Sequence, residues 1–137
     1  MHTKQIDRKT MLSTLWIFAM LNYLYCDIMG LMDSNLLNQY LAGEVNGMAI
    51  NEDFLLIAAI LMEIPIAMVL LSRILSHKAN RWANISAGIL MTLVQTATLF
   101  AGSPAKYYLF CSIIEIGTTI AIVRLACNWS ETSTENQ

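Results

Sequence analysis

Leu61-Met62-Glu63-Ile64-Pro65-Ile66-Ala67-Met68 sets a carboxylate and a proline two residues apart in the middle of a long apolar run. Around it, residues 53–75 are apolar enough and long enough to cross a hydrocarbon layer, for which about 20 residues suffice. A carboxylic acid at that depth is costly, and its default reading is functional. The stretch therefore implies an integral membrane protein that carries something polar inside the membrane.

Composition agrees. Of 137 residues, 56% are hydrophobic and only 13% charged, against about a quarter charged in soluble domains. No basic tract, Gly-rich phosphate loop or zinc-spaced Cys/His cluster is present, which argues against nucleic-acid and nucleotide partners. Cys26, Cys111 and Cys127 are scattered and odd in number, so they do not form a disulfide framework. His2 and His77 fall outside the apolar runs, and no metal or other cofactor is expected.

Three further runs match the first. Spans are expected at about 11–32, 53–75, 82–101 and 106–127, in one domain covering 1–137. The basic start followed by an apolar run exceeds signal-peptide length and reads as an uncleaved first span. Between spans one and two, Asp33 can cap a short helix carrying Leu36, Leu37, Tyr40 and Leu41 on one side, with Gly43 ending it. That pattern suits a helix lying in the membrane interface. Asn46-Gly47 marks a turn, and Asn51 caps span two with Glu52 and Asp53 in its first turn. The expected fold is all-α, a four-helix transmembrane bundle running up-down-up-down.

Charge fixes the expected orientation. Lys4, Arg8, Lys9, Arg73, Lys78, Arg81 and Arg124 lie on one side and only Lys106 on the other. The positive-inside rule then puts both termini and the central loop in the cytoplasm, in a cell inner (plasma) membrane. Trp16, Trp82 and Trp129 fall near one face of the membrane and Tyr107 and Tyr108 near the other.

Counting inward from the outer ends, Glu63 and Glu115 both fall roughly 15 Å deep, near the midplane. Tyr23 and Thr92 share that level. Asp27, Gln95, Cys26 and Cys111 lie a turn nearer the outside. The expectation is one polar layer to which all four helices contribute. Within it Glu63, Glu115, Asp27, Tyr23, Gln95 and Thr92 form a candidate ligand-binding set. A buried ionised carboxylate needs a partner, and no Lys or Arg falls at this depth. Four solutions stand open: protonation, a proton shared by Glu63 and Glu115, hydrogen bonds from Tyr23, Thr92 and Gln95, or a bound ligand or cation. Pro65 removes the bond to the Leu61 carbonyl and could open room beside Glu63. Each feature also has a purely structural reading, in which Gln95 and the threonines are interhelical glue and Asp27 is a solvated or capping acid.

Asn22-Tyr23-Leu24-Tyr25-Cys26-Asp27-Ile28-Met29-Gly30-Leu31-Met32-Asp33 resembles the pattern of a family of small bacterial four-span membrane proteins of uncharacterised function. So do Met62-Glu63-Ile64-Pro65, Asn80-Arg81-Trp82-Ala83-Asn84 and Ser112-Ile113-Ile114-Glu115. More distantly, the architecture is similar to the DoxX-type four-helix membrane proteins, which also carry an acid in the second span. Neither resemblance implies a reaction. Two roles follow: binding or transport of a small hydrophobic or cationic ligand or a proton, or a non-catalytic accessory part in a homo-oligomer or with a membrane partner protein. The layout is loosely similar to small multidrug-type transporters, but those have weak charge bias, unlike this chain. An enzyme is the third choice, because no nucleophile–base set is visible.

Overall fold

The computed structural model describes residues 7–130. In chain order it contains α1 (Arg8–Met32), α2 (Ser34–Leu41), β1 (Glu44–Val45), β2 (Met48–Ala49), α3 (Glu52–Ile74), α4 (His77–Phe100) and α5 (Lys106–Cys127). The four long helices are each long and apolar enough to cross a membrane. They form an all-α bundle in which α1 packs against α3 and α5, while α4 packs against α5 and more lightly against α3.

The capping chemistry read from the sequence operates locally. Asp33 accepts a hydrogen bond from the Asn35 amide at 3.0 Å and opens α2. Gly43, at φ +78°, ends it in the left-handed region where Cβ is disfavoured. Asn51 Oδ1 accepts from the Phe54 amide at 2.8 Å and starts α3. Asn46 (φ 48°) and Gly47 (φ 78°) make the two-residue turn of a small antiparallel hairpin, pairing Glu44 with Ala49 and Val45 with Met48. That hairpin was not anticipated. Two strands of two residues are too short to show an alternating pattern.

The third span departs most from expectation. α4 begins at His77, five residues before the expected start at 82. The basic residues His77, Lys78 and Arg81 made residues 77–81 look like a loop. Buried inside the bundle, its polar side chains are what hold it. Trp16 Nε1 donates to Asn84 Oδ1 at 2.7 Å, and Ser72 Oγ donates to the same oxygen at 3.2 Å. Asn84 Nδ2 donates to Asn80 Oδ1 at 2.7 Å, and Asn80 Nδ2 donates to the Ser72 carbonyl at 2.6 Å. Ser13 Oγ reaches the Val69 carbonyl at 2.8 Å. This network ties α1, α3 and α4 together with every amide hydrogen-bonded, as a buried polar group requires.

The basic residues of this end also have structural work. Arg8 donates to the Leu125 carbonyl at 3.0 Å, Lys9 to the Leu75 carbonyl at 2.7 Å and Arg81 to the Cys127 carbonyl at 3.1 Å. Each meets a carbonyl at the C-terminal end of α3 or α5, where the helix dipole is negative.

α4 and α5 approach closely at Gly88, where an added Cβ would lie 2.6 Å from Val123 Cγ2 and 3.4 Å from the Thr119 carbonyl oxygen. Gly88→Ala is expected to push these helices apart and cost about 1–3 kcal/mol. Equilibrium unfolding by steric trapping in bicelles would read that loss.

α3 is attached differently. Its only buried side chains are Pro65, Met68 and Ser72, all in its second half. The N-terminal half, from Glu52 to Glu63, presents Leu55, Leu56, Ile57 and Ile60 away from the bundle.

Candidate functional site

Glu115 is the carboxylate that the fold encloses. It sits three turns into α5 and is 1% exposed. Neither carboxylate oxygen has a hydrogen-bond partner among the described residues, and the buried Tyr23 hydroxyl on α1 likewise has none. Tyr23 and Glu115 are close enough to interact electrostatically, as are Glu115 and Asp27. Cys26 and Cys111, one each from α1 and α5, are both buried as free thiols and lie close enough to interact.

Gln95 closes the α4 side. It is buried, and its Nε2 donates to Ser112 Oγ at 2.8 Å. Tyr108 donates to Thr98 Oγ1 at 2.7 Å. Asp27 lies on an exposed rim of the cluster. Tyr40 of α2 senses that carboxylate: burial raises the Tyr40 phenol above its ordinary value, and the charge of Asp27 adds to the effect. The segment between α1 and α3 thus lies at the same end of the bundle as Asp27.

Thr92 is one turn removed from this cluster. Its hydroxyl pairs with Thr119 Oγ1 at 2.7 Å and donates to the Gly88 carbonyl at 2.8 Å. It borders an outward-facing cavity of about 180 Å³ with Ile89, Leu93, Ile120, Val123 and Arg124. Thr92 is fully hydrogen-bonded α4–α5 glue, set apart from Glu115.

Glu63 is in a different place from the one expected. It is exposed, on the side of α3 opposite the buried Pro65. At about 100° per residue, two positions turn it roughly 160° away. It cannot share a proton with Glu115, and the space freed by Pro65 does not open beside it. The polar layer is built by α1, α4 and α5 and receives nothing from α3. Rotation about the helix axis is the physical reason: depth in an apolar run was legible, while the facing of a nearly uniform helix was not. Pro65, Met68 and Ser72 at spacings of three and four were the available signal, with Ser72 its one polar member.

This placement carries a prediction. Glu63→Leu should leave the bundle's folding within about 0.5 kcal/mol of the parent. It should also favour membrane insertion of α3 by roughly 3 kcal/mol, the difference between an acid and leucine at a span centre. A translocon insertion assay on the isolated span measures the second effect, and a folded bundle lost on substitution would contradict the placement.

The sequence reading missed the Asn80–Asn84–Ser72–Trp16 network. Its signal was an asparagine pair at i and i+4, which puts two amides on one helix face. Among the described residues, no group of three or more His, Cys, Asp or Glu side chains could hold a metal ion.

Comparison with known proteins adds membership and no chemistry. The model of a family of unknown function, DUF6326, matches residues 1–135. No curated protein and no solved structure matches the chain.

Proposed function

We propose, for a chain that belongs to DUF6326, a family of unknown function, that the protein binds a proton and a small hydrophobic cation in competition at Glu115. The observation that carries this is a buried carboxylate with two unpartnered oxygens beside an unpartnered tyrosine hydroxyl. A carboxylate that served only to pin helices would be expected to be hydrogen-bonded, as Gln95 and Thr92 are. An unsatisfied acid in an apolar surround is stable when protonated, or when a cation neutralises it. Binding then exchanges one for the other: the Glu115 carboxylic acid releases its proton, and the carboxylate so formed holds the cation. Tyr23 and Gln95 flank the exchange, and Asp27 at the rim draws cations towards it.

In the same reading the protein is a multi-pass protein of the plasma membrane with cytoplasmic termini. α2 lies along the outer interface, with Leu37 and Tyr40 towards lipid. The seven-to-one charge bias supports that orientation. Four helices of spanning length and composition support the membrane assignment.

The test uses the full chain in detergent micelles and tetraphenylphosphonium as a probe cation. Equilibrium dialysis should show saturable binding that weakens as pH falls. A pH-indicating dye should record proton release on binding in weakly buffered solution. Absence of both would remove the reading. A second reading, an accessory protein whose polar layer only fixes packing, draws support from the satisfied Gln95–Ser112 and Thr92–Thr119 pairs.

A further inference from the structure

The end of the bundle opposite the Asp27 rim holds a concave polar surface. α4 begins there, and Ser76 at its N-cap makes no side-chain hydrogen bond to it. The first amides of a helix lack intrahelical acceptors and form its positive pole. An α4 of 24 residues presents that pole in full. Beside it lies a cavity of about 400 Å³ lined by His77, Lys78, Arg81, Trp82 and Ser130.

Two of the side chains around this cavity, His77 and Arg81, carry nitrogens without a hydrogen-bond partner among the described residues: both ring nitrogens of His77 and the Nε of Arg81, all buried. Trp129 holds the His77 ring edge-on, with centroids 4.6 Å apart and planes at 80°. Arg81 is anchored by its Nη2 bond to the Cys127 carbonyl at 3.1 Å, which fixes where its remaining N–H points lie. Lys78 is exposed, and among the described residues that line the cavity none is an acid. Trp82, 60% exposed, stands at the rim, where an amphipathic ring suits the headgroup level of a bilayer.

Two cations, an imidazole, a bare helix N-terminus and an interfacial tryptophan make an anion site facing a membrane surface. We infer that this cavity binds a phosphate group, namely the phosphodiester of an anionic phospholipid. Lys78, Arg81 and His77 hold the oxyanion, and Trp82 lies against the glycerol and upper acyl chain. The chemistry matches basic pockets at helix ends that take anionic headgroups. The α4 amides add the fixed dipole that favours phosphate at helix N-termini. The site is separate from Glu115 and does not depend on the role proposed for it.

The experiment compares the full chain in nanodiscs of phosphatidylcholine alone and with phosphatidylglycerol, and counts retained lipids by native mass spectrometry after extraction. Selective retention of phosphatidylglycerol is expected. Lys78→Gln should weaken it about fivefold, the ~1 kcal/mol that one basic residue contributes beside an anionic leaflet. Lys106→Gln, at the other end of the bundle, should leave it unchanged. Trp82→Ala should lower lipid retention while leaving binding of inorganic phosphate, followed by calorimetry in detergent, unaltered. Inorganic phosphate binding without any phosphatidylglycerol preference would assign the cavity to a free anion and overturn the headgroup. Equal retention of both lipids with no phosphate binding, or equal effects of the Lys78 and Lys106 variants, would overturn the site itself. Lys78 is exposed and makes no hydrogen bond among the described residues, so its variant reports binding.

Discussion

Asn84→Ala is expected to lower the stability of the folded bundle by roughly 2–4 kcal/mol. The side chain is fully buried and joins three helices at one point. Its removal leaves Trp16 Nε1, Ser72 Oγ and Asn80 Oδ1 without those partners at once. In membrane proteins each such bond contributes about 0.6 kcal/mol on average and up to about 1.7, because the unfolded chain in lipid finds alternatives. Three bonds therefore set the lower bound, and the cavity left by the amide adds to it. Trp16→Phe removes one donor from the same network and should cost a third or less. Steric trapping in bicelles gives both values on one scale. A loss below about 0.5 kcal/mol for Asn84→Ala, the size of an ordinary surface substitution, would mean that the network does not couple the helices.

Glu115 should behave in the opposite sense. Glu115→Leu replaces an unsatisfied buried acid with an apolar side chain of similar bulk, so the bundle should keep or gain stability. The same change should abolish probe-cation binding. Glu115→Gln keeps the shape but not the charge, and should weaken binding about ten- to a hundredfold, as expected for loss of a charge-assisted contact of about 1.5–3 kcal/mol. Proton release should vanish in both variants. The combination discriminates between the two readings of this residue. An acid that pins helices would make Glu115→Leu unstable, whereas an acid kept for its chemistry makes the variant stable and inactive.

Much of this architecture was legible in the chain. Span length, the Asp33 and Asn51 caps, Gly43 and the Asn46-Gly47 turn are local signals, each settled by chemistry within a few residues. What escaped depends on rotation and on the neighbours. Glu63 and Glu115 look alike in sequence, each an acid amid aliphatic residues. Only packing reveals that one faces α1 and α4 while the other faces out. Asn80 and Asn84 escaped for a related reason. Two amides near a basic loop give no sign of a buried network until Trp16 and Ser72 arrive from other helices to satisfy them. The basic residues themselves carried two messages. Their bias supports an orientation, and three of them also close helix C-termini.

The loose attachment of α3 has a consequence for the membrane around it. Glu63 is the central residue of that helix, with eleven residues on either side; no side chain before Pro65 is fully buried, although Leu61, Met62 and Ile64 pack half-buried against the core. Side-chain packing therefore constrains its tilt less than that of the other spans, and a span longer than the local hydrocarbon accommodates by leaning. The pivot is the buried Pro65–Ser72 segment, and just beyond it lies Ser76, where α4 begins. A thinner bilayer would lean α3 about that pivot and strain the short link into His77 and Lys78. Membrane thickness thus becomes a mechanical input at one end of the molecule, delivered through the helix that the bundle holds least.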